Sequence, residues 1–181
     1  MRSVTRTVYY TASTLDGFVA DEAQTLDWLL SREVDADGPM GYTAFIAGVG
    51  ALVMGATTYR WVRAHDDGWP YDQPCWVVTH SPGEPPAGAD VRFTDADADV
   101  GAVHAEAVAA AAGRDVWLVG GGVLAAQFAE RGLIDEVVVS IAPVTLGAGR
   151  PLLPAHVELR PLEVAANGEF ACIRYAVVRK G

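Results

Sequence analysis

Two stretches of this chain carry residue types that could hold an anion without a charged side chain. In Val53-Met54-Gly55-Ala56-Thr57-Thr58-Tyr59 an apolar run ends at a glycine, and two threonines follow. A helix starting there has unpaired first amides and a positive dipole end, so Gly55, Thr57 and Thr58 would face a phosphate. The same residues also make an ordinary turn, with glycine bending the chain and threonine capping the helix. In Val116-Trp117-Leu118-Val119-Gly120-Gly121-Gly122-Val123-Leu124 three successive glycines part a strand-like run from a helical one. Glycine costs conformational entropy on folding, so packing is a weak reason for three together. Close approach of backbone to a ligand is a better one, and a pyrophosphate is the ligand expected.

The second stretch also satisfies, as Gly120-x-Gly122-x-x-Ala125, the dinucleotide fingerprint of a Rossmann unit. That unit needs an acid about twenty residues on, at the end of the next strand. Here Asp135 and Glu136 stand at the strand's start, so a standard Rossmann domain is not expected. Asp16 and Asp27 are the carboxylates best suited to donating a proton, with Tyr42 a third candidate. Asp16 beside Gly17 is equally a turn residue, and Asp27 in Leu26-Asp27-Trp28 equally a helix cap. His65, His80, His104 and His156 are dispersed without ligand spacing, so no metal site is expected. His104 and Glu106 are expected to face solvent.

These residues must be positioned by alternating strands and helices. Strands are predicted over 4–12, 51–54, 75–79, 91–94, 115–119 and 135–142. Helices are predicted over 39–49, from Gly55 to about Val62, and over 100–112 and 123–131. Two final strands, about 157–166 and 169–179, meet at Asn167-Gly168, a strong hairpin signal. Strands separated by helices imply a parallel core, and the hairpin adds antiparallel strands. The result is one mixed-sheet α/β domain over residues 1–181.

Composition narrows the function. The chain has 181 residues, 51% hydrophobic and 20% charged, with a net charge of −10. It is a folded protein, and that acidity argues against binding nucleic acid. No apolar run approaches the ~18 residues of a membrane span. The single lysine, Lys180, excludes a P-loop lysine and a Schiff-base lysine in the core. Cys75 and Cys172 lie in apolar runs and read as buried thiols, which fits a cytoplasmic protein. Residues 171–178 would make an apolar sheet edge, and a homodimer is expected to cover it.

The order of these motifs resembles the dihydrofolate-reductase-like superfamily. The closest resemblance is to the C-terminal reductase domain of the bifunctional riboflavin-biosynthesis deaminase–reductase and its stand-alone relatives. It rests on Ser13-Thr14-Leu15-Asp16-Gly17-Phe18-Val19-Ala20, Val53-Met54-Gly55-x-x-Thr58 and Val119-Gly120-Gly121-Gly122. Leu133-Ile134-Asp135-Glu136 leading into Pro143-Val144-x-Leu146-Gly147 completes it. The resemblance implies a three-layer sandwich, with a mostly parallel central sheet, helices on both faces and a C-terminal antiparallel hairpin. It also implies an NADPH-dependent reductase of a small heterocyclic, pterin- or pyrimidine-like substrate, NADH remaining an alternative cofactor.

By the same resemblance, Gly55, Thr57 and Thr58 hold the cofactor's phosphates from one side, and Val119, Gly120, Gly121, Gly122 and Leu124 from the other. Thr79, His80 and Ser81 approach the adenosine 2′-phosphate, while Ala12 and Gly17 border the nicotinamide beside Leu15 and Phe18. The superfamily often has arginine after the first glycine; this chain has Ala56, with Arg60 and Arg63 further along. Residues 39–49 contain no acid, which argues against folate reduction. Phe18 stands where the riboflavin-pathway reductases usually carry lysine, and Arg150 could replace that cation. A non-catalytic nucleotide-binding or regulatory homo-oligomer is the other reading of the same motifs.

Overall fold

A computed structural model describes residues 4–179, so Lys180 lies outside the described residues. The strands are β1 (Thr7–Thr14), β2 (Phe18–Ala20), β3 (Val49–Gly55), β4 (Cys75–Val78), β5 (Val91–Thr94) and β6 (Asp115–Gly120). They continue with β7 (Glu136–Ala142), β8 (Arg150–Pro151), β9 (Leu159–Asn167) and β10 (Phe170–Val177). The helices are α1 (Asp27–Leu30), α2 (Tyr42–Ala47), α3 (Ala56–His65), α4 (Val100–Ala110) and α5 (Gly122–Glu130).

Eight strands form one sheet in the order β5-β4-β3-β6-β1-β7-β10-β9. From β5 to β7 every pairing is parallel, and β10 is antiparallel to both β7 and β9. A separate antiparallel ribbon joins β2 to β8. β3 and β4 are apolar and buried along almost their whole length, as parallel strands covered on both faces must be. On one face Val53, Trp76 and Leu118 pack beneath Val103 of α4 and Phe128 of α5. On the other, Leu52, Val77 and Trp117 lie beneath Phe45 of α2 and Tyr59 of α3. A third cluster gathers Ala142, Phe170 and Cys172 around Trp28 of α1. Helices on both faces of a mixed sheet, with an antiparallel hairpin at its end, make the expected three-layer sandwich.

β3 and β6 are neighbours, yet α3 and α5 leave them toward opposite faces. Such a reversal opens a crevice at the carboxyl ends of the two strands, the place where open α/β sheets bind ligands.

Several expected boundaries move for identifiable reasons. α2 is shorter than the span 39–49 because Gly41 and Gly48 flank it as caps and Met40 adopts a positive φ of 53°. α3 runs on to His65. The hairpin turn is Gly168-Glu169, because Asn167 is still paired with Phe170. The buried Asn167 amide donates to the carbonyls of Asp35 and Pro39 and accepts from the Asp35 amide. β10 is an interior strand; the edge is β9, with Val164 exposed on it. His104 is half-buried at 2.7 Å from Thr7 Oγ1, so α4 is bonded to β1 there and does not present that side chain to solvent. Glu106, though exposed, accepts the Trp76 indole N–H at 2.9 Å. Both cysteines are free and buried.

Candidate functional site

The site begins at the crevice between β3 and β6. β3 ends in Gly55, the extended N-cap of α3. β6 ends in Gly120, whose φ of +143° L side chains rarely adopt, and Gly121 follows as the extended N-cap of α5. The peptide between Gly120 and Gly121 is cis. Neither helix start is capped by a side-chain hydrogen bond, so their first amides remain free for another acceptor. The two starts abut. A Cβ placed on Gly55 would lie 3.7 Å from both Gly120 O and Gly121 N, and one on Gly120 would lie 3.7 Å from Thr58 Oγ1. A Cβ on Gly121 would meet nothing within 4 Å. Two positive helix ends therefore converge beside open space, a donor set suited to a diphosphate.

The three glycines have three different reasons. Gly122 departs from the expectation of ligand approach: its Cβ would lie 1.9 Å from Pro151 O, so glycine is required there by packing. This contact belongs to a strap, residues 143–153, that ties α5 to the turn after β1. Leu152 donates its amide to Gly17 O at 2.9 Å, and its carbonyl accepts the Tyr9 hydroxyl at 2.8 Å. The Leu15 amide donates to Val144 O. Asp16 accepts from Thr14 Oγ1 at 2.6 Å and from the amides of Leu146 and Gly147 at 3.1 and 2.7 Å. The Thr14 hydroxyl, followed by the Gly147 and Leu146 amides, holds this exposed carboxyl below its ordinary range. Asp16 is thus held as a hydrogen-bond acceptor that closes the strap.

Asp27 is exposed at the first position of α1, where its charge suits the dipole, but the N-cap itself is Leu26. The neighbouring Trp28 is buried in the third cluster beside Ala12, and its indole N–H has no hydrogen-bond partner among the described residues. Tyr42 is half-exposed on α2, with its ring 5.9 Å from that of Trp117. Burial, then the charge of Asp66, raise its phenol above the ordinary value. Val119 packs on the α2–α3 side of the sheet, and Leu124 is a core residue that can offer only its backbone to a ligand.

Beyond β4, the Thr79 hydroxyl is turned to Ser81, accepting its amide at 3.1 Å, while His80 and Ser81 are exposed. His80 Nδ1 stands 3.8 Å from Asp95 and 3.9 Å from Asp97. Among the described residues these three form the one group with metal-ligand spacing, and all three are exposed. Sequence reasoning missed Thr14, Leu152 and the exposed Val123 beside the α5 start. The Pro151-Leu152-Leu153-Pro154 run was the available signal for the strap, because apolar residues in a loop need a surface to cover.

The model of the family described as "RibD C-terminal domain" matches residues 6–171. The chain belongs to that family. YwjB of Bacillus subtilis, an uncharacterized protein, is 34% identical over 166 residues, covering 91% of this chain and 92% of YwjB. A candidate riboflavin biosynthesis protein from Shewanella sp. PV-4 superposes with a TM-score of 0.82 at 28% identity, over 97% of this chain and 100% of its own. Dihydrofolate reductase from Enterococcus faecalis shares the fold, with a TM-score of 0.58 at 15% identity, over 95% of this chain and 96% of that one. The RibD-type domain here therefore has a dihydrofolate-reductase-like fold.

Proposed function

We propose that this RibD-type protein is an NADPH-dependent reductase of a small heterocyclic, pterin- or pyrimidine-like substrate. The reading is carried by the two uncapped helix starts that abut at Gly55 and Gly120–Gly121. The residues present fit the cofactor: converging amides, a backbone conformation that favours glycine at Gly120, and open space over Gly121. When bound, NADPH supplies the hydride.

The chain's own residues bind, orient and exclude water. The first amides of α3 and α5, with the Thr57 and Thr58 hydroxyls, hold the diphosphate. Ala12, Leu15, Gly17 and Phe18 border the nicotinamide, and the strap fixed by Asp16 limits water there. Asp16 is committed to the strap, so Asp27 is the proposed proton donor, with Tyr42 the alternative. The functional unit is proposed to be a homodimer.

The test is cofactor oxidation across a panel containing 5-amino-6-(5-phosphoribosylamino)uracil, pterins and simple carbonyl compounds. Oxidation driven by a heterocycle is expected, and Asp27→Asn should lower turnover without altering cofactor affinity. NADPH binding without oxidation of any panel member would instead favour a non-catalytic nucleotide-binding protein.

A further inference from the structure

From Val137 to Ala142, β7 is apolar except at Ser140. Its register sets Ser140 opposite Ala12 of β1 and Cys172 of β10, and residues directly opposite on neighbouring strands share a face. Ala12, Cys172 and, two positions along, Ala142 all belong to the third cluster, so Ser140 stands in the floor of that cluster. Its hydroxyl lies 3.3 Å from Cys172 Sγ, a weak partner. Cys172 and Ala142 are buried, whereas Ser140 and Ala12 are half-buried. The accessible part of this floor therefore lies on β1 and β7, near the carboxyl ends of those strands.

A second polar group belongs to the same cluster. Trp28 of α1 is 8% exposed, and its indole N–H is a buried donor without an acceptor among the described residues. Leaving such a donor unpaired costs free energy that an incoming acceptor recovers. Other members of the cluster are apolar, Leu26, Leu29, Met40 and Phe170 among them. Arg32, which donates to the Trp28 carbonyl, is paired with Glu169, and Arg174, two positions from Cys172, with Glu136 and Glu163. Neither cation is free to meet an anion here. The ligand group that suits this place is a neutral acceptor, and a carbonyl oxygen meets both the serine hydroxyl and the indole N–H as an acceptor.

We propose that Ser140 and Trp28 bind a ring carbonyl of the substrate and select oxo-heterocycles over analogues that lack the oxygen. This inference rests on the reductase reading for its place beside the nicotinamide. A site built to hydrogen-bond one group rejects the analogue without it, because its own polar atoms are then left unpaired. The experiment is a titration of the isotope-labelled full chain with uracil and with pyrimidine, its oxo-free parent, followed at the indole N–H resonances. Trp28→Phe identifies the resonance of Trp28, and thermal unfolding confirms that Ser140→Ala is folded. Uracil should shift the Trp28 resonance and bind about tenfold or more tightly than pyrimidine. Ser140→Ala should weaken uracil by about tenfold and leave pyrimidine within about twofold. A Trp28 resonance unmoved by uracil, equal affinity for the two ligands, or an equal loss of both in folded Ser140→Ala would overturn the subsite and leave the reductase reading to the oxidation panel. The expected uracil response in a chain that oxidises NADPH with no panel member would remove the reductase reading while the carbonyl subsite stands.

Discussion

A Cβ on Gly122 would lie 1.9 Å from the Pro151 carbonyl, while one on the preceding Gly121 would meet nothing. Neighbouring glycines of one turn are therefore required on different grounds, one by the strap behind it and one by the space in front of it. Gly122→Ala should lower stability by about 1–3 kcal/mol, read as a fall in the urea midpoint, because the site is buried and backbone must move to admit a methyl group. A midpoint equal to that of the parent chain would mean that the strap yields without cost. The sequence marks all three glycines as unusual, yet it cannot separate their reasons. The partner of Gly122 is about thirty residues away along the chain and becomes visible only once the strap is folded back. Asp16 is a similar case: Asp-Gly announces a turn, but the amides of Leu146 and Gly147 that fill its carboxylate come from a distant loop.

At the level of elements, the strap is the part of the site most exposed to pH. The Asp16 carboxyl titrates below its ordinary range in the folded protein, so its contribution is complete above the unfolded value and is lost as pH falls through the folded one. Protection of the Leu146 and Gly147 amides from hydrogen exchange, relative to their intrinsic rates at each pH, should be high at neutral pH and fall in acid below the ordinary carboxylate range. Asp16→Asn should show fast exchange at both, since a neutral amide is the weaker acceptor. Protection that is insensitive to both pH and this substitution would show that Leu152 and its bonds hold the strap alone. The long elements were legible because β3, β4, β6 and β7 are apolar runs and the α3 and α5 starts are marked by glycine. Short ones were not: β2 and β8 have three and two residues, too few for a period to register. α2 was overextended because its apolar spacing persists past the flanking glycines that end it.

Across the whole molecule, the reversal between β3 and β6 makes the crevice, and the remaining strands fix its walls. The mixed sheet and the terminal hairpin could be read from the alternation of patterns and the Asn-Gly pair. The strand order could not: placing β1 between β6 and β7 depends on parallel pairings between distant segments. That order also puts β10 inside the sheet and leaves β9 as the edge, with Leu162 and Val164 exposed. Equilibrium sedimentation at micromolar concentration should give the mass of a dimer, and Val164→Lys should shift it toward the monomer. A monomeric mass for the parent chain would remove the homodimer from the account.

The central claim is that the starts of α3 and α5 together hold one diphosphate. It is tested most directly by following backbone amide resonances as NADPH is added. The amides of Ala56, Thr57 and Thr58 and those of Gly121, Gly122 and Val123 should shift together along one binding curve. In Gly121→Val both sets should lose that response, with thermal unfolding unchanged because the site has open space. Shifts confined to one helix start, or an unaltered response in folded Gly121→Val, would contradict the account.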